Sequence, residues 1–397
     1  MLYTPPEVLE YVRMEDVRFI RLSFCDVLGV PKNISVMSTE LPRAFRDGIS
    51  FDASAIRGFG NEERSDLFLF PDASTLSILP WRPAQDRVAR MFCEIRHPDG
   101  MPYACDTRRI LKDAVQEAKR DGLMCCFGAE FEFYLFKTDE NGSPTKLPLD
   151  NGTYMDMAPE DAGENGRREI CLTLSEMGID PESSHHEEGP GQNEIDFKYS
   201  DALSAADNAI TVKTVIKTVA ARHGLYASFD PKPLPGQPGN GMHINVSPVS
   251  TQSGCFYPFM AGILEHIEPL TLFMNPIAAS YSRLGGHKAP RYITWSPENR
   301  SQLIRIPAAD KERTRIELRS PDAAANPYLA YALLILAGLD GIRRNLTPPP
   351  RTDVNLENCV SGAYRPLPQT LEAARELASQ SEFVRANVPA RILEALL

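Results

Sequence analysis

Four segments of this chain alternate apolar and polar residues with a period of two, and each puts ionisable groups on its polar side. Successive side chains of a β-strand point to opposite faces, so residues two apart share one. Glu130 and Glu132 therefore share a face opposite Phe131, Phe133 and Leu135. Glu194 and Asp196 oppose Ile195, Phe197 and Tyr199, with His185-His186-Glu187 standing just before them. His243, Asn245 and Ser247 oppose Met242, Ile244 and Val246, and Arg315, Glu317 and Arg319 oppose Ile316 and Leu318. A half-exposed sheet also alternates, but these faces carry carboxylates, His and Arg where a wet sheet would carry Thr and Lys. Glu130 and Glu132 repel one another unless a cation lies between them. The same face turns apolar at Phe136, so the pattern predicts a cavity wall that is part carboxylate and part aromatic. Oxygen ligands with a single imidazole suit hard divalent ions, Mg²⁺ or Mn²⁺, better than zinc. The donors Glu130, Glu132, Glu187, Glu194, His243 and Glu317 exceed the needs of one ion, which leaves room for two. Arginines on the neighbouring strand suit phosphate or carboxylate substrates.

Composition bounds what such a site serves. Of 397 residues, 43% are hydrophobic and 24% charged, an ordinary globular balance that excludes disorder and fibrous repeats. Asp and Glu number 53 against 42 Lys and Arg, a formal charge of −11, so net charge offers no route to nucleic acid or an anionic membrane. The eight cysteines make no CxxC pair, which argues against a redox motif or structural zinc and for a reducing compartment. Adjacent Cys125 and Cys126 read as core packing. No secretory pattern heads the sequence, and Leu329 to Leu339, the longest apolar helix candidate, is too short for a bilayer, so the expected setting is the cytoplasm. No P-loop and no GxSxG elbow is present, and the glycine-rich stretch Gly236 to Gly241 has the wrong order for a dinucleotide fingerprint.

The first hundred residues read mainly as short strands, at Phe19 to Phe24, Leu67 to Phe70 and Ser77 to Leu79. Helix signals begin near Cys105. Asp106 or Thr107 can cap a helix with the stripe Ile110, Leu111, Ala114, Val115 and Ala118, stopped by Gly122. Ser204 with Asp207 reads as a capping box for a helix that ends at Gly224. Asn326 then Pro327 opens a helix from Tyr328 to Leu339. The expected class is α+β, with a small β-rich domain over residues 1–105 and a larger one over 106–397.

These strands also carry a resemblance that runs nearly end to end. Arg18 to Phe24, Asp26-Val-Leu-Gly29, Phe51-Asp-Ala-Ser-Ala-Ile56, Ser65-Asp66 and Phe70-Pro-Asp72 come first. Glu130-Phe-Glu132, His185-His-Glu187, Gly191-Gln-Asn-Glu194, Gly241-Met-His243, Asn299-Arg-Ser301, Ile304-Arg-Ile-Pro307 and Arg315 to Asp322 follow in order. In this the chain resembles the glutamine synthetase family, in its bacterial ring-forming type. The resemblance implies an N-terminal β-grasp domain and a catalytic domain built on a curved antiparallel sheet flanked by helices. It implies ATP as co-substrate, two or more Mg²⁺ or Mn²⁺ ions, and a ring of subunits with active sites between them. One metal would take Glu132, Glu187 and Glu194, and the other Glu130, His243 and Glu317. Arg283 and Arg319 match positions that hold the substrate carboxylate and transferred phosphate. Arg300, Arg305 and Arg315 match cations around the ATP phosphates, with Asn245 and Ser247 on the nucleotide side. Asp52 and Asp66 match acids that a neighbouring subunit presents to an ammonium pocket.

Departures from the family pattern concentrate at the amine end. Where relatives carry a flap glutamate before Ala-Pro, this chain has Leu284-Gly-Gly-His-Lys-Ala-Pro290, shorter by one, with Lys288 in its place. A cation there should weaken ammonium binding, and His287 is the candidate substitute base. Pro238 replaces an asparagine that contacts the substrate's amino group, removing a backbone N–H as well. The loop from Ser247 to Phe256 is shorter than usual, the chain stops before the family's last helices, and the modifiable tyrosine of some relatives is absent from Asn355-Leu-Glu357. Three readings follow: a ligase joining glutamate to ammonia, a ligase joining it to another amine such as a polyamine or ethanolamine, and a catalytically silent nucleotide-binding homologue. The full metal set argues against the last.

Overall fold

The structure is a computed structural model that describes residues 3–60, 62–250, 254–309, 314–357 and 362–397. Cys359 and the middle of the loop between Ser247 and Phe256 lie outside the described residues.

The N-terminal part runs α1 (Pro5–Met14), β1 (Val17–Cys25), β2 (Pro31–Met37), α2 (Leu41–Asp47), β3 (Ile49–Asp52), β4 (Asp66–Pro71), β5 (Ser77–Ile78) and β6 (Arg87–Arg96). Its sheet has the order β2-β1-β6-β4-β3, with β5 also on β6. β1 and β6 pair in parallel and their neighbours antiparallel, the mixed pattern of a β-grasp sheet. The three expected strands are present, but α1 and α2 were not expected. Both are short. α1 starts with a capping box between Thr4 and Glu7 and buries only Val8 and Val12, too little apolar periodicity to stand out in the sequence.

The middle of the chain supplies α3 (Thr107–Arg120), β7 (Leu123–Thr138), β8 (Pro144–Pro148), α4 (Glu164–Glu176), β9 (Pro181–His186) and β10 (Gln192–Phe197). Then come β11 (Ser200–Asp201), α5 (Ala202–Arg222), β12 (Leu225–Ser228) and β13 (Met242–Ser250). The remainder is α6 (Phe256–Met274), α7 (Ala278–Arg283), β14 (Trp295–Pro297), β15 (Ile304–Ile306), β16 (Ile316–Leu318), α8 (Pro327–Arg343), α9 (Leu371–Gln380), α10 (Glu382–Asn387) and α11 (Ala390–Leu396). The larger sheet has the order β14-β15-β16-β13-β7-β10-β9, with β8, β11 and β12 also on β7. All its pairs are antiparallel except β14 with β15. Among the described residues no helix is long and apolar enough to cross a membrane.

The odd-numbered face of β7 carries Phe127, Ala129, Phe131, Phe133 and Leu135, all buried. Phe127 stacks on Tyr331 of α8 at 4.4 Å between ring centres, and Phe131 and Phe133 pack against Phe229. This apolar layer turns the even-numbered face, with Glu130 and Glu132, away from the helices. Cys125 is buried and its neighbour Cys126 half-buried, as alternation requires. Asp106 caps α3, accepting from the N–H groups of Arg108 and Arg109, and Asn326 caps α8. The expected capping box at Ser204 is not made. Asp201 is the N-cap of α5, and Asp207 is buried inside that helix, where Arg108 and Tyr328 bond it. Phe136 is also buried, stacked on Tyr134, so it is not the aromatic part of the cavity wall.

Candidate active site

Strand register brings the polar faces together. β13 on β7 sets His243 opposite Glu130, and β10 on β7 sets Glu194 opposite Glu132 and Asp196 opposite Glu130. β9 on β10 sets His185 opposite Glu194. On the other side β16 on β13 sets Glu317 opposite Asn245, and β15 sets Arg305 opposite Glu317. A slip of one residue anywhere in this ladder would turn that strand's polar side chains into the apolar layer.

The result is a cavity of about 370 Å³ bounded by Glu130, Glu132, His185, Glu187, Glu194 and Asp196 along one wall and by Arg283, Arg300, Arg305, Arg315 and Arg319 along another. Among the described residues, four sets of donor atoms here lie within 4.8 Å of one another: Glu130, His243 and Glu317; Glu132, Glu194 and His243; His185, Glu187 and Glu194; and Glu130, Glu194 and Asp196. His243 is 3.0 Å from Glu130 through Nδ1 and 3.8 Å from Glu132 through Nε2. His185, 3.3 Å from Glu194 and 3.7 Å from Glu187, belongs to this cluster and was not assigned to it from the sequence.

The carboxylates divide electrostatically. Burial alone would raise Glu130, but hydrogen bonds from His243 and Asn245, with the charges of His243 and Arg319, hold it well below the usual carboxylate range. Glu187 is pushed up to about 7 by burial and then by Glu132, and Asp196 to about 6 by burial and Glu130. Glu194 is driven well above the ordinary value by burial and by Glu132. Buried acids that repel one another with oxygens converging on a common point are the donor set a hard divalent cation satisfies. The residues present therefore fit the metals that the resemblance implies.

Each arginine has a distinct position. Arg283 is buried and donates to the carbonyls of Ser320 and Arg319 at 2.7 and 3.1 Å. Burial pulls its proton affinity down, opposed by Glu132. Arg305 and Arg319 both donate to Glu317, which is fully buried beneath them, and Arg319 Nε also bonds the carbonyl of Arg300. Arg300 is exposed at the rim. Arg315 donates to Asn245, which donates in turn to Glu130 at 2.8 Å. Asn245 thus couples the two walls without lining the cavity, and Ser247 lies beyond it, bonded to the carbonyl of Thr314. Asp52 is exposed on the N-terminal sheet opposite Asp66, where it caps a turn through Ser54, and is not brought to the cavity of its own chain.

Gly241 shows how tightly the floor is packed. A Cβ there would stand 2.6 Å from Nη2 of Arg283 and 2.9 Å from Nε2 of His243. Its N–H donates to Glu132 at 2.6 Å. The carbonyl of Pro238, another lining residue, accepts the Tyr134 hydroxyl at 2.8 Å.

Besides His185, two lining residues were missed from the sequence. Tyr154 supplies the aromatic part of the wall from the loop after β8, and Glu188 follows the expected ligand Glu187. Neither lies in a periodic segment, so no face pattern marks them. Lys288, the cation expected to weaken ammonium binding, is paired with Glu188.

A mixed β-grasp-like sheet joined to a large antiparallel sheet, whose open face gathers carboxylates opposite arginines, defines a metal-dependent enzyme acting on phosphate and carboxylate groups. The family model for the glutamine synthetase β-grasp domain matches residues 16–98, and that for the glutamine synthetase catalytic domain matches residues 104–397. The chain belongs to the glutamine synthetase family. It is 46% identical to the glutamine synthetase of Clostridium saccharobutylicum over 368 residues, covering 89% of this chain and 83% of that one. Against the Methanosarcina mazei glutamine synthetase it is 44% identical over 401 residues, covering 96% and 90%. Among solved structures, a GmaS/ADP complex superposes with a TM-score of 0.89 at 30% identity, covering 100% of this chain and 94% of that one.

Proposed function

We propose that this chain is an ATP-dependent ligase that joins the γ-carboxylate of glutamate to ammonia. A carboxylate is a poor electrophile. One of its oxygens first attacks the γ-phosphorus of ATP, ADP leaves, and a γ-glutamyl phosphate forms. The amine then attacks the carbonyl carbon and phosphate departs with that same carboxylate oxygen. Arg283 and Arg319 hold the substrate carboxylate and the phosphoryl group in transfer. Arg300, Arg305 and Arg315 face the ATP phosphates, with Asn245 and Ser247 behind them. Fixed cations aimed at charge that develops during transfer are the main source of rate in such sites.

Glu132, Glu187 and Glu194 would hold one divalent ion, with His185 beside them, and Glu130, His243 and Glu317 a second. Mg²⁺ or Mn²⁺ bound there would neutralise charge on the phosphoryl oxygens. Asp52 and Asp66 of a neighbouring subunit would complete the amine pocket, in a ring-forming homo-oligomer, and His287 stands in the cavity as a base for the ammonium proton. The reading is carried by one observation: strand register gathers repelling carboxylates and sets Arg305 against Glu317, in a single cavity that Arg283, Arg300, Arg315 and Arg319 also line. Its test is phosphate release from ATP with glutamate and Mg²⁺, across ammonia, hydroxylamine and a panel of alkylamines. Amine-dependent release supports the ligase, and ATP binding with no amine-dependent turnover overturns it.

A second reading keeps the chemistry and changes the amine. It is favoured by Lys288 in the flap and Pro238 in the glutamate pocket, both of which line the cavity. In the same panel, preference for a bulkier amine over ammonia selects it.

A further inference from the structure

A second cavity, of about 160 Å³, lies between the N-terminal sheet and α5 and shares no lining residue with the carboxylate–arginine cavity. Arg21 of β1 and Arg90 of β6 line it from the sheet, and Ile210, Thr211 and Thr214 from α5. Its cations are poorly matched. Arg21 and Arg90 are paired in the β1–β6 register, so they share a face on which like charges repel. No Asp or Glu lines the cavity. Lys32, the third cation in the lining, already has Asp26 at 3.6 Å.

Arg90 is the more deeply set of the two arginines. Its Nη1 donates to Thr211 Oγ1 at 3.0 Å, but its Nε is buried with no hydrogen-bond partner among the described residues. Its guanidinium carbon stands 4.0 Å from the ring centre of Phe92, a contact that steadies the charge and supplies no acceptor. Burial pulls the proton affinity of both arginines down, and for Arg21 the charge of Arg82 adds to it. A buried charged donor without a partner is costly, and a guanidinium edge matches the two oxygens of a carboxylate. The rest of the lining is largely apolar, with Leu79, Trp81, Met177 and Ile210 beside Phe92. Apolar walls with a few convergent polar groups are the usual make-up of a small-molecule site.

We propose that this cavity binds a small organic acid with an apolar body, its carboxylate on Arg90 and its body against Trp81, Leu79 and Met177. The ligand would tie the N-terminal sheet to α5 beside the bond from Arg90 to Thr211, away from the reacting groups.

The test is isothermal titration calorimetry with three probes at equal ionic strength: sodium phenylacetate, sodium acetate and 2-phenylethanol. Acetate keeps the charge without the body, and 2-phenylethanol keeps the body without the charge. Phenylacetate should bind about tenfold or more tightly than either. Arg90→Met, which keeps much of the side-chain stem, should weaken phenylacetate about tenfold or more and leave 2-phenylethanol unchanged. Trp81→Ala, at a half-buried side chain, should weaken phenylacetate about fivefold and leave acetate unchanged. Melting transitions establish that each variant is folded, and Trp81→Ala decides the matter if Arg90→Met is not. The inference is overturned if phenylacetate does not bind, if acetate or 2-phenylethanol binds equally well, or if a folded variant binds phenylacetate as the unaltered protein does.

Discussion

Glu317 carries two arginines and no exposed surface, which makes it the most sensitive single carboxylate in the site. Glu317→Ala removes a candidate metal donor and leaves Arg305 and Arg319 without their common partner. Phosphoryl transfer in that variant should fall on the order of 10²-fold or more, measured as phosphate release at saturating Mg²⁺; activity equal to the parent would refute the metal assignment. Gly241→Ala tests the floor. Its methyl group must displace Arg283 or His243, so turnover should drop sharply while the melting transition stays close to that of the parent. At this scale Glu130, Glu132, Glu194, His243 and Glu317 were legible because a period of two assigns each to a face before any register is known, and Glu187 through its motif just before β10. Glu188, Tyr154 and His185 were not legible as site residues, because what brings them in is the course of a loop or the pairing of a neighbouring strand.

Helices and strands differed in how plainly they announced themselves. α3 and α8 were legible from their caps, whereas α5 was misread at its start. Asp207 looks like the second half of a capping box only until its partners Arg108 and Tyr328, far away in sequence, are known. The cap of α3 yields a pH test. Asp106 is pushed up to about 6 by burial, against a hydrogen bond from Ile95 N–H. An acid whose folded pKa exceeds its unfolded value of about 3.9 adds stability below the lower value and loses it as pH rises through the upper one. The unfolding free energy of the parent relative to Asp106→Asn should therefore decline between about pH 4 and 6 and then level off. Chemical denaturation across that range checks it; a flat difference contradicts it. α6 and α8 cross at glycines. A Cβ on Gly262 would lie 2.0 Å from the Ala337 carbonyl oxygen, and one on Gly341 2.1 Å from that of Pro258. Gly262→Ala should cost about 1–3 kcal/mol or more in a denaturant titration.

Across the whole molecule, a buried cation is among the groups that tie the N-terminal sheet to the helices behind the site. Arg108 of α3 bonds Asp207 of α5 at 2.9 Å and Asp72, just after β4, at 3.0 Å. Arg108→Met strands both acids, and loss of a buried partner of this kind costs about 3–5 kcal/mol; thermal or denaturant unfolding would register it. No sequence pattern marks such a hub, since its members stand on α3, on α5 and just after β4, and each looks like an ordinary surface charge. The same holds for the net charge of −11. It speaks to net attraction for polyanions, but it could not show that several acids converge on one cavity where divalent cations would offset them. The central claim is that this cavity activates a carboxylate by phosphorylation. It is tested most directly by supplying glutamate labelled with ¹⁸O in its γ-carboxylate, together with ATP, Mg²⁺ and ammonia, and weighing the released phosphate. The account predicts phosphate carrying one carboxylate-derived oxygen; phosphate free of label, formed while ATP is consumed, would contradict it.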